Sequence, residues 1–245
     1  MRRIMKRALS ILLVLLMLTL AGCGNAKTST ESTANAGNEQ QTTIPKETTA
    51  PKDTEAEPAD SEEVKPSDTN ASTRILVLYF SRTGEQYTVG VIDHGNTAIV
   101  AEMIAAETGA DLFEVLPADD HYPMTYNALT DVAKQEQNDK ARPEYQGDLP
   151  DLSAYDTIFI GAPVWWGDWP MIMYTVFETG DFSGKTLIPF STHEGSGLSG
   201  FDKKLQSACP DAEVLKGLAI RGNDAQNNQD KTKESVQAWL KELGF

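Results

Sequence analysis

The sequence contains few of the residues that most often build metal and disulfide sites. It has only two cysteines, Cys23 and Cys209, and three histidines in 245 residues. The histidines, at positions 94, 121 and 193, lack the spacing of metal ligands, so we expect no metal site. If Cys23 is modified, as argued below, Cys209 has no partner and no intramolecular disulfide can form.

Several motifs of nucleotide and ester chemistry are also missing. No glycine-rich stretch has the Gly-Lys-Ser/Thr ending of a P-loop or the Gly-x-Gly-x-x-Gly pattern of dinucleotide sites. Ser196 and Ser199 lack the second spaced glycine of a nucleophile elbow. Basic residues are outnumbered, with 21 Lys and Arg against 36 Asp and Glu, a net charge of −15. Such a chain is not expected to bind nucleic acid, and it favours protein partners with a basic docking surface.

The most apolar run of the chain, residues 11–20, is too short for a comfortable membrane span. Basic residues precede it and small residues follow it, which predicts a signal peptide over residues 1–22. Leu20-Ala21-Gly22-Cys23 resembles the bacterial lipoprotein box, which implies cleavage before Cys23 and lipidation of its thiol. A plain secretory peptide or an uncleaved anchor is the alternative. We therefore expect an extracytoplasmic protein, lipid-anchored to the bacterial cell membrane through Cys23.

Residues 23–73 are rich in Ser, Thr, Glu, Ala, Asn and Pro and nearly devoid of aliphatic residues. Such a segment buries too little apolar surface to offset its ordering entropy, so we predict a disordered acidic tether. Residues 74–245 are long enough for one domain with a full core. This part alone carries thirteen basic and twenty-six acidic residues, a net charge of −13.

Apolar strand patterns alternate with helical patterns through the whole of residues 74–245. The strands are predicted at residues 75–80, 110–116, 157–161, 186–191 and 213–220. This alternation predicts an α/β fold with a parallel sheet covered on both faces, and right-handed crossovers leave few topologies. We expect a doubly wound five-stranded sheet of order 2-1-3-4-5. Its ligand crevice would lie beyond the carboxyl ends of the first and third strands.

The loop after the first predicted strand is rich in hydroxyl groups and glycine. Ser81, Thr83, Asn96 and Thr97 can point oxygens or amides inward, and a helix begins directly after them. The first N–H groups of that helix have no intrahelical acceptor, so the loop favours an anion such as phosphate. The same pattern occurs in many α/β proteins that bind nothing at this turn, so later loops must decide.

The loops after the third and fourth predicted strands carry unusual chemistry. Residues 162–170, APVWWGDWP, place three of the four tryptophans within five residues, and residues 191–197 read STHEGSG. Clustered tryptophans could simply pack over the end of the sheet. Together with a phosphate turn, however, they favour a phosphorylated ligand with a large flat ring, approached closely by glycine backbone.

These three loops together resemble the flavodoxin family, over essentially all of residues 74–245. The resemblance implies a flavodoxin-like fold and the cofactor FMN, with its phosphate in the first loop and its ring between the other two. The implied phosphate-binding residues are Ser81, Arg82, Thr83, Asn96, Thr97 and Ala98. The implied ring-binding residues are Pro163, Val164, Trp165 and Trp166 on one side, and Thr192, Glu194, Gly195 and Ser196 on the other.

The sequence departs from the family pattern in two places. The phosphate loop is split by an insert at residues 85–94, in which Tyr87 could reach the flavin or a partner. The loop after the fourth strand has no tyrosine, so Trp165 or Trp166 must supply most of the stacking. Gly167 is our candidate for a mobile peptide beside the ring.

Three functions remain compatible with an FMN site. The favoured one is a low-potential electron-transfer protein on the outer face of the membrane, with Asp168, Glu194 and the net charge lowering the flavin potential. The second is an FMN-dependent NAD(P)H quinone or nitro-compound reductase. The third is a non-enzymatic flavin-binding lipoprotein. We assign no catalytic residue.

Overall fold

The structure is a computed structural model that describes residues 74–245. The predicted signal peptide, the lipidation of Cys23 and the predicted tether lie outside the described residues. Among the residues described, no helix is long and apolar enough to cross a membrane. The strands are β1 (Ile75–Tyr79), β2 (Gly84–Gln86), β3 (Gly90–Ile92), β4 (Asp111–Glu114), β5 (Thr157–Pro163), β6 (Thr186–His193), β7 (Glu213–Val214) and β8 (Leu218–Arg221). The helices are α1 (Asn96–Thr108), α2 (Tyr126–Asp139), α3 (Met171–Thr179), α4 (Phe201–Ala208), α5 (Gly222–Asn227) and α6 (Gln229–Leu243).

The main sheet is entirely parallel and runs in the order β4-β1-β5-β6, with β7 and β8 both paired to β6. This confirms the predicted 2-1-3-4-5 order, with one difference: the fifth strand is divided. The N-terminal end of β6 pairs with β7 through Thr186 and Leu187, and its C-terminal part pairs with β8 from Phe190 onward. Pro189 lies between them, and because proline has no N–H to donate, the ladder is interrupted there.

The core lies on both faces of the sheet because successive residues of the central strands are apolar and point to opposite sides. On one face, Val77 and Phe159 belong to a buried cluster that includes residues of α1 and α6. On the other, Leu78 and Ile160 belong to a cluster that includes residues of α3 and α4. Both faces are therefore covered, as the sequence predicted.

The insert between the halves of the first loop forms an antiparallel hairpin, β2 and β3, which the sequence did not predict. The hairpin is fixed to the beginning of α2. The Glu85 N–H donates to the Met124 carbonyl at 2.7 Å, and the Glu85 carboxylate accepts from the Tyr126 N–H at 2.8 Å. Gly84 has φ +85°, and a Cβ there would lie 2.7 Å from the Met124 carbonyl oxygen, so this junction requires glycine. Helix α5 was likewise not predicted.

Candidate functional site

The loops that follow β1, β5 and β6 meet at one cavity of about 460 Å³. This volume is within the range of ligand sites in proteins, roughly 300–1,000 Å³. The cavity lies at the carboxyl edge of the sheet, where the sequence predicted a crevice. The predicted binding residues that line it are Asn96, Pro163, Val164, Trp165, Trp166, Gly167, Thr192, Glu194 and Ser196.

The two halves of the first loop come together despite the insert between them. We call residues 81–83 with residues 95–98 the split turn. The Ala98 N–H donates to Ser81 Oγ at 3.1 Å. A Cβ added to Gly95 would lie 2.1 Å from the same Ser81 Oγ, so the two halves are too close for any side chain at position 95. The hairpin therefore leaves the turn itself continuous in space.

The split turn is linked to the loop after β6 by one buried hydrogen bond. Thr97 and Thr192 are 1% and 3% exposed, and their hydroxyl oxygens are 2.7 Å apart. Beside them, Asn96 Oδ1 is buried without a hydrogen-bond partner. Among the described residues, the backbone N–H groups of Asn96 and Thr97 donate to no protein acceptor. The two free N–H donors at the start of α1 fit a bound anionic group, whereas the Asn96 Oδ1 acceptor would have to be satisfied by a donor.

Of the predicted groups of the first loop, only Asn96 lines the cavity, and Arg82 and Thr83 make their hydrogen bonds elsewhere. The Arg82 guanidinium pairs with both Asp120 carboxylate oxygens at 2.8 and 2.9 Å and donates to the Tyr122 carbonyl at 2.9 Å. The Thr83 carbonyl accepts from the Gln86 amide at 3.3 Å. Their phosphate contacts stay predictions, and for Arg82 such a contact would require leaving Asp120.

The loop after β5 contains a tight turn at Trp165–Asp168, which we call the tryptophan turn. Trp165 and Asp168 exchange two backbone hydrogen bonds, each 2.9 Å long. The two central residues have positive φ, +50° for Trp166 and +74° for Gly167. Glycine adopts this conformation freely, but for a bulky residue it costs on the order of 1–3 kcal/mol. Trp166 is therefore held in place by surrounding contacts.

Those contacts come mainly from α2. The Trp166 indole N–H donates to the Thr130 carbonyl at 2.8 Å, and the Lys134 ammonium lies 5.0 Å from the centre of its ring. Trp165 instead packs edge-on against Phe80 and Tyr122, at 5.4 and 5.2 Å between ring centroids. The third tryptophan of the loop, Trp169, is a core residue stacked on Phe201 at 3.6 Å.

The negative charge of Asp168 is largely compensated by residues of the neighbouring helices α3 and α4. Its Oδ1 lies 3.1 Å from the Lys204 ammonium and accepts from the Tyr174 hydroxyl at 2.9 Å. Lys204 also donates to the Gly167 carbonyl at 2.6 Å. The peptide that we proposed as mobile is thus held by a lysine of α4, a contact that the sequence pattern could not indicate.

The loop after β6 is held by hydrogen bonds of its own. Glu194 Oε1 accepts from the Asn223 N–H at 2.7 Å, which attaches the loop to α5. The Gly195 N–H donates to His193 Nδ1 at 2.9 Å, so this nitrogen is unprotonated. Burial lowers the pKa of His193, which keeps the ring neutral at pH 7. Gly195 does not line the cavity, and its contact with the ring stays a prediction.

One wall of the cavity was not anticipated as part of the site. It consists of residues from the hairpin and α2, namely Gln86, Tyr87, Tyr126, Leu129, Thr130 and Ala133. Only Tyr87 had been singled out in the sequence. The helical members recur at positions i, i+3, i+4 and i+7, which is one face of a helix, so the spacing was the available signal.

A buried polar network lies behind this wall. Glu136 is 8% exposed and accepts from the Tyr122 hydroxyl at 3.1 Å and from His121 Nε2 at 2.8 Å. His121 Nδ1 faces the Asp119 carbonyl at 2.9 Å. Because both ring nitrogens face acceptors, the surroundings favour the doubly protonated ring of His121, and the Glu136 hydrogen bond raises its pKa. Within residues 74–245, no group of three or more His, Cys, Asp and Glu side chains is arranged to hold a metal ion.

Comparison with known proteins agrees with this architecture. The family model described as flavodoxin matches residues 74–243. A flavoprotein from Bacteroides uniformis is 32% identical, with 69% of this chain and 98% of that one covered and a TM-score of 0.55. A flavoprotein from Bacteroides eggerthii is 29% identical, with 71% and 99% covered and a TM-score of 0.56.

A third structure, a Lactobacillus acidophilus flavoprotein in complex with FMN, is 25% identical, with 64% and 97% covered and a TM-score of 0.50. No curated protein matches the chain. The family match runs through both halves of the split turn, the tryptophan turn and the loop after β6. The chain therefore belongs to the flavodoxin family.

Proposed function

We propose that the domain binds FMN at the cavity and acts as an electron-transfer protein. The observation that carries the proposal is the buried Thr97–Thr192 hydrogen bond, which joins an anion-binding turn to the rim of an aromatic cavity. The L. acidophilus relative, crystallised with FMN, supports the choice of ligand. When bound, FMN supplies one- and two-electron chemistry that no amino-acid side chain offers.

The residues of the chain would bind, orient and tune the cofactor. The free N–H groups of Asn96 and Thr97 would hold the phosphate, and Trp165 and Trp166 would bound the ring. Glu194 is the one acidic side chain that lines the cavity. Its carboxylate and the net charge of the domain disfavour added electrons, which supports a low potential. Asp168 contributes less, because Lys204 balances it.

The proposed site of action is the outer face of the cytoplasmic membrane. The support is in the sequence: a signal peptide pattern over residues 1–22, the lipoprotein box ending at Cys23, and a polar tether of residues 23–73. A domain with thirteen basic and twenty-six acidic residues favours redox partners with a basic docking surface.

The direct test is to purify the chain, release any bound ligand and identify it by absorbance and mass. We expect a yellow protein containing FMN, and Trp165→Ala should bind FMN at least about tenfold more weakly, a loss of about 1.4 kcal/mol. Leu112→Ala is the matched control, because Leu112 is exposed on the edge strand β4, outside the cavity. A colourless protein that takes up no flavin from an excess would end the proposal.

A second candidate function, an FMN-dependent NAD(P)H quinone or nitro-compound reductase, is favoured by one observation. The cavity does not end at the loops expected to hold the ring but continues to the hairpin and α2. A pure carrier has no need for this space. Turnover of quinone with NAD(P)H by the purified protein alone would favour the reductase, whereas dependence on a separate reductase would favour the carrier.

A further inference from the structure

The wall formed by the hairpin and α2 has properties of its own. Its lining residues carry no charged side chain, and Leu129 and Ala133 give it an apolar floor. It lines the same cavity as the tryptophan turn, which follows β5 and contacts α2 through the Trp166–Thr130 hydrogen bond. A ligand on this wall would therefore lie next to the proposed ring site without displacing the groups at the split turn.

Two tyrosines provide an aromatic surface on this wall. Tyr87 and Tyr126 are stacked, with ring centroids 5.4 Å apart and an angle of 30° between their planes. Tyr87 remains 56% exposed. Within residues 74–245, neither phenol hydroxyl donates to a protein acceptor, while the backbone beneath them is fixed by the Glu85 contacts to α2. The pair thus offers a positioned flat surface and two available O–H donors.

Trp166 supplies a second aromatic surface to the same space. Its ring is held against α2 by the bond to Thr130 and by Lys134 above it, yet it is 53% exposed. Its exposed fraction and strained backbone are unusual for a tryptophan whose role is only to pack. The positive φ of Trp166 therefore points to a role in binding, because backbone strain persists where function requires a fixed geometry.

The charges around the cavity restrict the ligand. Glu194 is the single charged residue that lines it, since His193 is neutral, and the domain as a whole carries −13. Lys134 is engaged by the Trp166 ring and does not line the cavity. On the wall, away from the free N–H groups of the split turn, an anionic ligand would be repelled without any compensating cation, whereas an uncharged aromatic molecule would meet apolar and aromatic surfaces.

We infer that the hairpin and α2 form a binding subsite for a small, uncharged, planar aromatic carbonyl or nitro compound. Its ring would lie against Tyr87 and Tyr126, and its oxygen would accept a hydrogen bond from a phenol O–H. The inference rests on the proposed function, because it places this ligand beside bound FMN. It also goes further, because it names the ligand class and the residues that select it.

Equilibrium dialysis of the purified full-length, flavin-loaded chain tests the inference with two isosteric probes. These are 4-nitrobenzamide, which is uncharged, and 4-nitrobenzoate, which is anionic. We expect the protein to retain the amide and to bind the carboxylate at least about tenfold more weakly. Equal binding of both probes, or retention of neither, would overturn the inference.

Variants locate the binding. Tyr87→Ala and Tyr126→Ala should weaken retention of 4-nitrobenzamide about tenfold without loss of FMN, and Tyr126→Phe, which keeps the packing, should have a smaller effect. Val91→Ala is the matched control, because Val91 is on the same hairpin, 79% exposed and outside the cavity. If the tyrosine variants release FMN instead, the tyrosines stack on the flavin and the inference is wrong.

A colourless wild-type protein would refute both the proposed function and this inference, whereas a yellow protein that does not retain the amide refutes the inference alone.

Discussion

The split turn and the tryptophan turn lie at the same edge of the sheet but are held in place by different means. The split turn is closed by its own polar groups and by Thr192, all of them buried and close in space. The tryptophan turn has a strained residue at its centre and depends on Thr130 of α2 and Lys204 of α4. The first turn is therefore closed by hydroxyl groups in a tightly packed space, and the second is held by groups supplied from distant helices.

The largest effect on stability and FMN affinity is expected at Gly95, where the split turn has no room for a side chain. In Gly95→Ala the added Cβ would lie 2.1 Å from Ser81 Oγ and 2.9 Å from the Arg82 carbonyl oxygen. We expect a loss of about 1–3 kcal/mol in the free energy of unfolding, measured in urea, because overpacked sites must shift their backbone. FMN affinity should fall by at least about tenfold.

The double variant Gly95→Ala with Ser81→Ala provides the control for this change. Removing the Ser81 hydroxyl relieves the closest contact, so part of the lost stability should return as a coupling energy between the two positions. If Gly95→Ala alone binds FMN as tightly as the wild type, the split turn is not the tight junction described here.

An intermediate effect is expected from the network that supports α2 behind the tryptophan turn. Folding raises the pKa of His121, chiefly through its hydrogen bond to Glu136, so the folded state binds this proton more tightly than the unfolded state. The stabilisation is fully present below about pH 6.5 and is lost as the pH rises through the raised folded value. His121→Gln should therefore cost about 1 kcal/mol at pH 5.5 and progressively less at higher pH.

Urea unfolding of wild type and variant between pH 5 and pH 9 measures this difference. The groups facing the imidazole are Glu136, Tyr122 and Asp119, and none of them is altered by the substitution. His94→Gln is the matched control, because His94 pairs with Glu102 where both side chains are more than half exposed. A difference that does not change with pH would show that His121 acts only through packing.

The smallest effect is expected at Lys204. Lys204→Met leaves Asp168 and the Gly167 carbonyl without their ammonium partner, which lies 3.1 and 2.6 Å away. The pair is partly exposed, so stability should fall by less than about 1 kcal/mol. The flavin potential should become more negative, on the order of 10 mV, and the shift should shrink at high salt because the charges are screened. Lys203→Met, an exposed neighbour on α4, should leave the potential unchanged in the same potentiometric titration.

This contrast explains which parts of the site could be predicted from sequence. The sheet order and the split turn depend on local pattern, since strands, glycines and hydroxyls are close together in the chain or fixed by parallel topology. The division of the fifth strand was missed because it depends on Pro189 of the neighbouring strand. The spacing of the cavity-lining residues of α2 indicates a common face of this helix, but not that this face meets the cavity. The Arg82–Asp120 pair and the Lys204 contact join residues far apart in sequence, and single-sequence patterns contain no information about such pairs.

The position of the hairpin in the chain connects cofactor binding with resistance to proteolysis. It lies between the two halves of the split turn, which are joined by the hydrogen bond from the Ala98 N–H to Ser81 Oγ at 3.1 Å. A ligand held by the turn therefore shifts the local opening equilibrium toward the closed state by mass action. Tyr87 and Thr88 are exposed at the hairpin tip, and Thr88 has φ +61°. We therefore expect a protease to nick the empty domain at this tip faster than the domain loaded with FMN.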